Sequence, residues 1–328
     1  MNIADNLIAE ATRRVFRDLG DPQAINGARD ARWRAPLWNA LEEAGLTRAW
    51  VPDALGGAGA SIEDGFDILR IAGEFAVSVP LAETLLAGWL LARAGIAVPK
   101  GPIAAVIEGA PVAFGRDCEH FVFLSGSRVG LVKRDDCSIR EGSSIAGEPR
   151  DEIMLKGAPL EPAGVSADAF VLMGAAVRAM QMSGALSAIL DRSAAYAKER
   201  VAFERPIGGF QAVQHNLARL AGETAAALAA AGSAADAVSN GPPFDDAVFL
   251  EVASAKIRVG EAAEAGAAIA HQVHGAIGFS REHVLHRYTQ RLWAWRDDFG
   301  SESAWALRLG EAVARKGADA LWPALAER

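Results

Sequence analysis

Two cysteines in 328 residues, Cys118 and Cys137, make no C-x-x-C pair. That scarcity excludes a disulfide-stapled scaffold and points to a reducing compartment. Positive charge is also in short supply. There are 33 Lys and Arg against 41 Asp and Glu, a formal net charge of −8, and the basic residues are scattered among acidic ones. Nucleic-acid surfaces need clustered Lys and Arg, so that class of partner is excluded. The opening Met1-Asn-Ile-Ala-Asp-Asn6 has no basic stretch leading into an apolar run, and no signal peptide is read there. The most apolar window, Val171–Leu190, contains Arg178 and Gln181, which marks a buried helix rather than a membrane span. The cytoplasm is the default location, and no membrane partner is expected.

What is present is a chain that is 51% hydrophobic and rich in Ala, with 23% charged residues. That composition supports a large core, and the length suits two or three domains. Residues 1–100 read as a helical domain. Leu37, Leu41 and Leu46 fall on one amphipathic helix with Trp33 and Trp38, and Val51–Gly59 breaks it with Pro and Gly. Ser61-Ile-Glu-Asp64 reads as a capping box opening the next helix. Gly56-Gly-Ala-Gly59 follows no strand, so it reads as a turn and not a dinucleotide fingerprint.

Residues 101–165 change character. Short apolar runs (Ile103–Ile107, Pro111–Phe114, His120–Leu124, Arg128–Val132 and Glu152–Leu155) are separated by Gly, Asp and Ser, the pattern of a small antiparallel β domain. From 166 to 328 the chain is helical again. Met182, Leu186, Ile189, Leu190, Ser193 and Ala197 form one stripe, and Ala255, Val259, Ala262, Gly266, Ile269 and Val273 another. Their small residues let helix backbones approach closely, as in a four-helix bundle. Pro206 is expected to end the first of these helices, and Pro242-Pro243 to separate two others. Trp293 and Trp295, two residues apart on a helix, must face different ways, so at least one belongs to the core.

The most informative stretch is Arg200 to His215. Arg200, Phe203, Pro206, Ile207, Phe210, Gln211 and Gln214 stand there in an Arg-x-x-Phe-x-x-Pro-Ile context, and Gln272-Val-His-Gly-Ala-Ile-Gly-Phe279 follows downstream. These segments resemble two signatures of the flavin-dependent acyl-CoA dehydrogenases, whose order of helical, β and helical parts the whole chain shares. The resemblance implies FAD as cofactor and α,β-dehydrogenation of an acyl-CoA thioester. It implies that Arg200 bonds the dinucleotide pyrophosphate across a subunit interface, a task suited to a planar, permanently charged fork of donors. Phe203 packs beside the cofactor, and Gln272 with the backbone of Gly275 and Ala276 holds the adenosine half. Gln211 and Ser301 complete the cofactor-binding candidates.

Three departures accompany the resemblance. Glu204 stands where the family often has Gly and brings a carboxylate toward the phosphates. The family's catalytic Glu, which removes the acyl α-proton, sits in a Glu-Gly-Thr turn or near the start of the long helix. Here those registers read Phe299-Gly300-Ser301 and Met173-Gly-Ala-Ala-Val-Arg178, so neither holds a carboxylate. Asp297, Asp298 and Glu302 are the nearby acids. Finally, residues 101–165 contain no Trp and neither of the family's isoalloxazine-gripping segments, Phe123-Leu-Ser125 being the nearest match. His271, His274, His283 and His286 fall in i, i+3 pairs, but no Cys or paired carboxylate completes a metal shell, and no metal is expected.

The retained motifs are those one subunit offers its neighbour's flavin, and the lost ones are those it would use on its own. The expectation is a short subunit of a heteromeric acyl-CoA dehydrogenase that shares FAD with a sibling chain and is inactive without it. The alternatives are an active homo-oligomer with a relocated carboxylate base and a flavin-free helical interaction protein.

Overall fold

The computed structural model describes residues 3–107, 109–155, 160–162, 164–240 and 244–326. The chain opens with helices α1 (Ile3–Leu19), α2 (Pro22–Gly27), α3 (Arg34–Glu43), α4 (Ile62–Glu74) and α5 (Leu81–Arg93). The capping box is present: Ser61 Oγ accepts the Asp64 N–H at 3.1 Å, and the Asp64 carboxylate accepts the Ser61 N–H at 3.0 Å. Both satisfy donors that a helix start leaves open. Leu37, Trp38 and Leu41 are buried on α3, but Leu46 is not part of that helix. The chain turns at Gly45, and Leu46 falls on a separate 3₁₀ turn, Leu46–Arg48, where it is still buried. Residues 56–59 form a turn with no strand before them.

The β part comprises β1 (Ile103–Ile107), β2 (Val112–Ala113), β3 (His120–Ser125), β4 (Arg128–Lys133), β5 (Cys137–Arg140), β6 (Arg150–Leu155) and β7 (Glu161–Pro162). They form two sheets, ordered β1-β3-β4-β7 and β2-β6-β5. Pairing is antiparallel except between β1 and β3, which run parallel with Ile103 opposite His120. A parallel pair needs a crossover, and the intervening chain makes it by passing through β2 in the other sheet. Strands β5 and β7 escape the sequence reading because Cys137-Ser-Ile-Arg140 is half polar and Glu161-Pro162 is exposed.

The C-terminal part is built on α6 (Ala167–Glu199), α7 (Gln211–Asn240) and α8 (Asp246–His274), followed by α9 (Leu285–Asp297), α10 (Glu302–Lys316) and α11 (Leu321–Ala326). Helix α6 is long and apolar enough to cross a membrane, yet 89% of its most apolar window is buried inside the fold. Gly73 and Gly184 show how closely it packs. A Cβ on Gly73 would lie 2.0 Å from the Gln181 carbonyl oxygen, and one on Gly184 would lie 1.9 Å from that of Arg70. Helices α4 and α6 therefore cross backbone against backbone, which only glycine permits.

Pro206 does not end α6. The helix stops at Glu199, where Arg200 turns extended, and Pro206 sits in a hairpin made by β8 (Val201–Ala202) and β9 (Arg205–Pro206). Pro242-Pro243 lies outside the described residues. Of the two tryptophans on α9, Trp295 is buried and Trp293 is partly exposed.

Candidate functional site

The end of α6 and the end of α8 meet. Arg200 caps α6, its N–H donating to the Tyr196 carbonyl at 2.8 Å, while its own carbonyl accepts the Ile207 N–H at 2.8 Å. Gln272 lies on the last turn of α8, and Gly275 terminates that helix at φ +61. A Cβ at Gly275 would meet nothing within 4 Å, so the glycine is required by its backbone conformation and leaves an open approach to the main chain. Tyr196, Glu199, Arg200, Gln272, Gly275 and Ala276 all help line one groove of about 570 Å³. Among the described residues, neither the Arg200 guanidinium nor the Gln272 amide has a hydrogen-bond or ion-pair partner.

Phe203 and Glu204 form the hairpin tip, both at positive φ (+51 and +64), a conformation costing non-glycine residues on the order of 1–3 kcal/mol each. Phe203 is 89% exposed, and its ring is edge-on to Phe210 at 6.1 Å. Neither residue lines the groove, and the carboxylate that lines it next to Arg200 is that of Glu199. Gln211, exposed at the start of α7, is also outside it.

The four histidines gather around the 3₁₀ turn Gly275–Phe279 that floors the groove. The rings of His274 and His283 are 4.8 Å apart, and Tyr196 stacks on His274 at 4.5 Å. Burial lowers all four pKa values, helped for His271 and His283 by neighbouring histidines, and pushes His283 down to about 4. At neutral pH the corner is uncharged.

A second cavity of about 550 Å³ lies between α5, the β part, α6 and the α9–α10 corner. Leu86, Ile107, Phe170 and Phe299 supply its apolar wall. Its polar wall is a closed network. Arg178, 3% exposed, donates to Glu83 at 2.5 Å, to Asp298 at 2.8 Å and to Gln181 at 2.6 Å, and Asp298 also pairs with Arg150. Burial raises the Glu83 pKa against the opposing pull of Arg178. For Asp298, burial works upward, but Arg178 and Arg150 outweigh it and hold the carboxyl below its usual range. Fully buried Lys256 donates to the carbonyls of Trp295 (3.2 Å) and Arg296 (2.6 Å), fixing the end of α9, and burial lowers its pKa to about 7.

Phe299 sits at φ +58, with its ring over Gly174. A Cβ on Gly174 would fall 2.4 Å from the ring. Phe170 meets the same ring edge-on at 6.0 Å, and Trp305 donates its indole N–H to the Phe299 carbonyl at 3.0 Å. The other acids differ in availability. Asp297 is exposed on the cavity wall. Glu302 pairs with Arg296 and packs against Gly260, away from the cavity lining. Ser301 caps α10, its hydroxyl accepting the Ala304 N–H at 3.3 Å.

Residues 166–296 match the acyl-CoA dehydrogenase C-terminal domain. The acyl-CoA dehydrogenase IpdE2 of Mycolicibacterium smegmatis is 27% identical over 87% of this chain and 91% of its own length. Among solved structures, the ChsE4-ChsE5 complex from Mycobacterium tuberculosis superposes with a TM-score of 0.83, at 21% identity, over 97% of this chain and 99% of the other. A variant of the Tcur3481-Tcur3483 steroid ACAD gives a TM-score of 0.82, at 23% identity, over 95% and 98%. The chain is thus similar to acyl-CoA dehydrogenases along most of its length, and its C-terminal part carries that family's C-terminal domain.

Set beside the acyl-CoA dehydrogenases it resembles, the chain shows a division between the groove and the cavity described above. The two registers in which the family carries its base, far apart in sequence, converge where the Phe299 ring covers Gly174. Sequence reasoning missed Glu83, whose signal was an acid inside the apolar run Leu81-Ala-Glu-Thr-Leu-Leu86, and it read Arg178 only as an argument against a membrane span. For FAD, the family's cofactor, the fit is uneven. The open glycine turn and the unpaired Arg200 and Gln272 suit the dinucleotide end. The β part offers no Trp to the flavin ring.

Proposed function

We propose that this chain is the non-catalytic subunit of a heteromeric acyl-CoA dehydrogenase. Its Arg200–Gln272 groove holds the pyrophosphate and adenosine half of an FAD whose ring lies in a sibling subunit. When bound, the cofactor supplies the hydride acceptor for α,β-dehydrogenation of an acyl-CoA thioester. This chain's tasks are binding and orientation: the Arg200 guanidinium takes phosphate oxygens, the Gln272 amide and Gly275 main chain take the adenosine end, and exposed Phe203 packs beside the cofactor. The partner contributes the glutamate base. One observation supports the reading: the Phe299 ring packs on Gly174, joining the two stretches where the resemblance implies a base and neither holds a carboxylate, while the Arg200–Gln272 groove is open. Similarity to the ChsE4-ChsE5 and Tcur3481-Tcur3483 assemblies supports a two-chain enzyme, and the latter's description as a steroid ACAD supports a bulky acyl group.

The test is the flavin spectrum and acyl-CoA oxidation of the chain purified alone and co-purified with a sibling chain. Alone, it is expected to be colourless and inactive, and the pair coloured and active. Stoichiometric FAD with turnover in the lone chain would overturn the proposal. It would favour a homo-oligomer using Asp297, the acid on the cavity wall with no ion-pair partner among the described residues. Asp297→Asn would then abolish activity.

A further inference from the structure

Away from both cavities, three guanidiniums gather where α9 meets the start of α3. Arg287 and Arg291 stand one turn apart on α9, on the same helix face. Arg34 opens α3 and lies close enough to depress the basicity of Arg287. Their acidic company is thin. Arg291, 3% exposed, lies 2.7 Å from the buried Glu148 carboxylate and donates to the Arg287 carbonyl at 2.7 Å. Among the described residues, Arg34 reaches the Ser78 hydroxyl at 3.4 Å and Asp117 at 3.6 Å, and its guanidinium lies over the Trp33 ring at 5.7 Å. The Arg287 guanidinium has no hydrogen-bond or ion-pair partner among the described residues. The Nε–H groups of all three arginines are buried and unpaired. Beyond Tyr288, Arg192 adds a further cation, bonded to the tyrosine hydroxyl at 3.2 Å.

Buried charges are ordinarily paired, and each orphaned buried donor calls for an account. Helix α9 concentrates positive charge here and leaves the Nε–H donors of Arg287 and Arg291 without an acceptor among the described residues. Burial together with Arg291 and Arg34 lowers the Arg287 pKa to about 10, against a weaker opposing effect of Glu148. A group in that state gains from an anion beside it. Planar guanidinium forks match tetrahedral oxyanions, with charge-assisted bonds that neutral ligands cannot make.

We infer that Arg34, Arg287 and Arg291 form a binding site for a phosphate group, separate from the Arg200 groove. The inference does not depend on the proposed flavin sharing. The phosphate is either inorganic or carried by a nucleotide such as ADP or coenzyme A.

The test titrates the full chain with inorganic phosphate at fixed ionic strength, with chloride and sulfate as references, reading the melting midpoint and the heat of binding. Saturable binding of phosphate is expected. Arg287→Gln should weaken it at least tenfold and raise the melting midpoint in phosphate-free buffer, because it removes like-charge repulsion. Arg34→Gln should act in the same direction, which covers the case in which one variant folds poorly. ADP and coenzyme A are titrated in an Arg200→Ala background, so that the groove does not contribute. Tighter binding of either that is sensitive to Arg287→Gln assigns the site to a nucleotide phosphate, and sensitivity confined to inorganic phosphate assigns it to the free anion. The inference is overturned if chloride matches phosphate, if Arg287→Gln binds phosphate like the parent, or if both variants only lower the midpoint. The last result would make the arginines purely structural.

Discussion

The groove at the end of α6 and the cavity beside Phe299 use similar polar groups in opposite ways. In the groove, Arg200 and Gln272 face open space without partners. In the cavity, Arg178, Glu83, Asp298 and Arg150 are bonded to one another, and the Phe299 ring covers Gly174. Donors kept free at the surface are available to a ligand, whereas donors satisfied internally hold a fold together.

That contrast can be broken by substitution. Arg178→Leu should be the costliest change, because it leaves Glu83 and Asp298 buried without their cation. A loss of about 3–5 kcal/mol in denaturant-derived stability is expected, and a loss below ~1 kcal/mol would mean the network is not structural. Phe299→Ala should cost about 1–3 kcal/mol, toward the low side of aromatic truncations because the ring is only partly buried. It should leave flavin binding by an assembled complex unchanged, as measured by absorbance after gel filtration. In the groove, Gln272→Ala should stay within about 0.5 kcal/mol of the parent, as for surface positions generally. A larger loss would show that the groove is also part of the fold's support.

The histidine corner adds a pH test on the groove side. His271, His274, His283 and His286 all have folded pKa values below the ordinary 6.5, that of His283 near 4. At these four groups the unfolded chain therefore takes up protons first as pH falls, so their contribution to stability declines from about 6.5 toward 4, opposed by Glu83, whose raised pKa makes the folded state take up its proton first. Asp298, also depressed, adds its loss only below its ordinary value of 3.8. Denaturant midpoints measured across pH 7 to 4 should decline, and His283→Asn should flatten the slope. A flat profile in the parent would contradict the buried, neutral corner.

Much of this was legible in the residues. The α–β–α order, the capping box at Ser61 and the runs that became β1, β3 and β4 follow from periodicity and turn chemistry, and Arg200 and Gln272 do share one groove. What escaped depends on three-dimensional closure. A helix-stopping role was expected for Pro206, but the extended turn at Arg200 had already ended α6. The parallel pairing of β1 with β3 depends on a crossover that local pattern does not reveal. Glu83 and Arg178 lie 95 positions apart in separate apolar runs, and only packing makes them partners. The covering of Gly174 by Phe299 is likewise a contact between distant segments.

The most direct test of the central claim is flavin retention by the complex of this chain with its sibling when only this chain carries Arg200→Ala. Removing one charge-assisted phosphate contact, worth about 1.5–3 kcal/mol, should weaken FAD binding roughly ten- to a hundredfold. Acyl-CoA oxidation should fall in step and recover when FAD is added in excess. Full retention of FAD with unchanged turnover would contradict the account, since the cofactor would then owe nothing to this subunit.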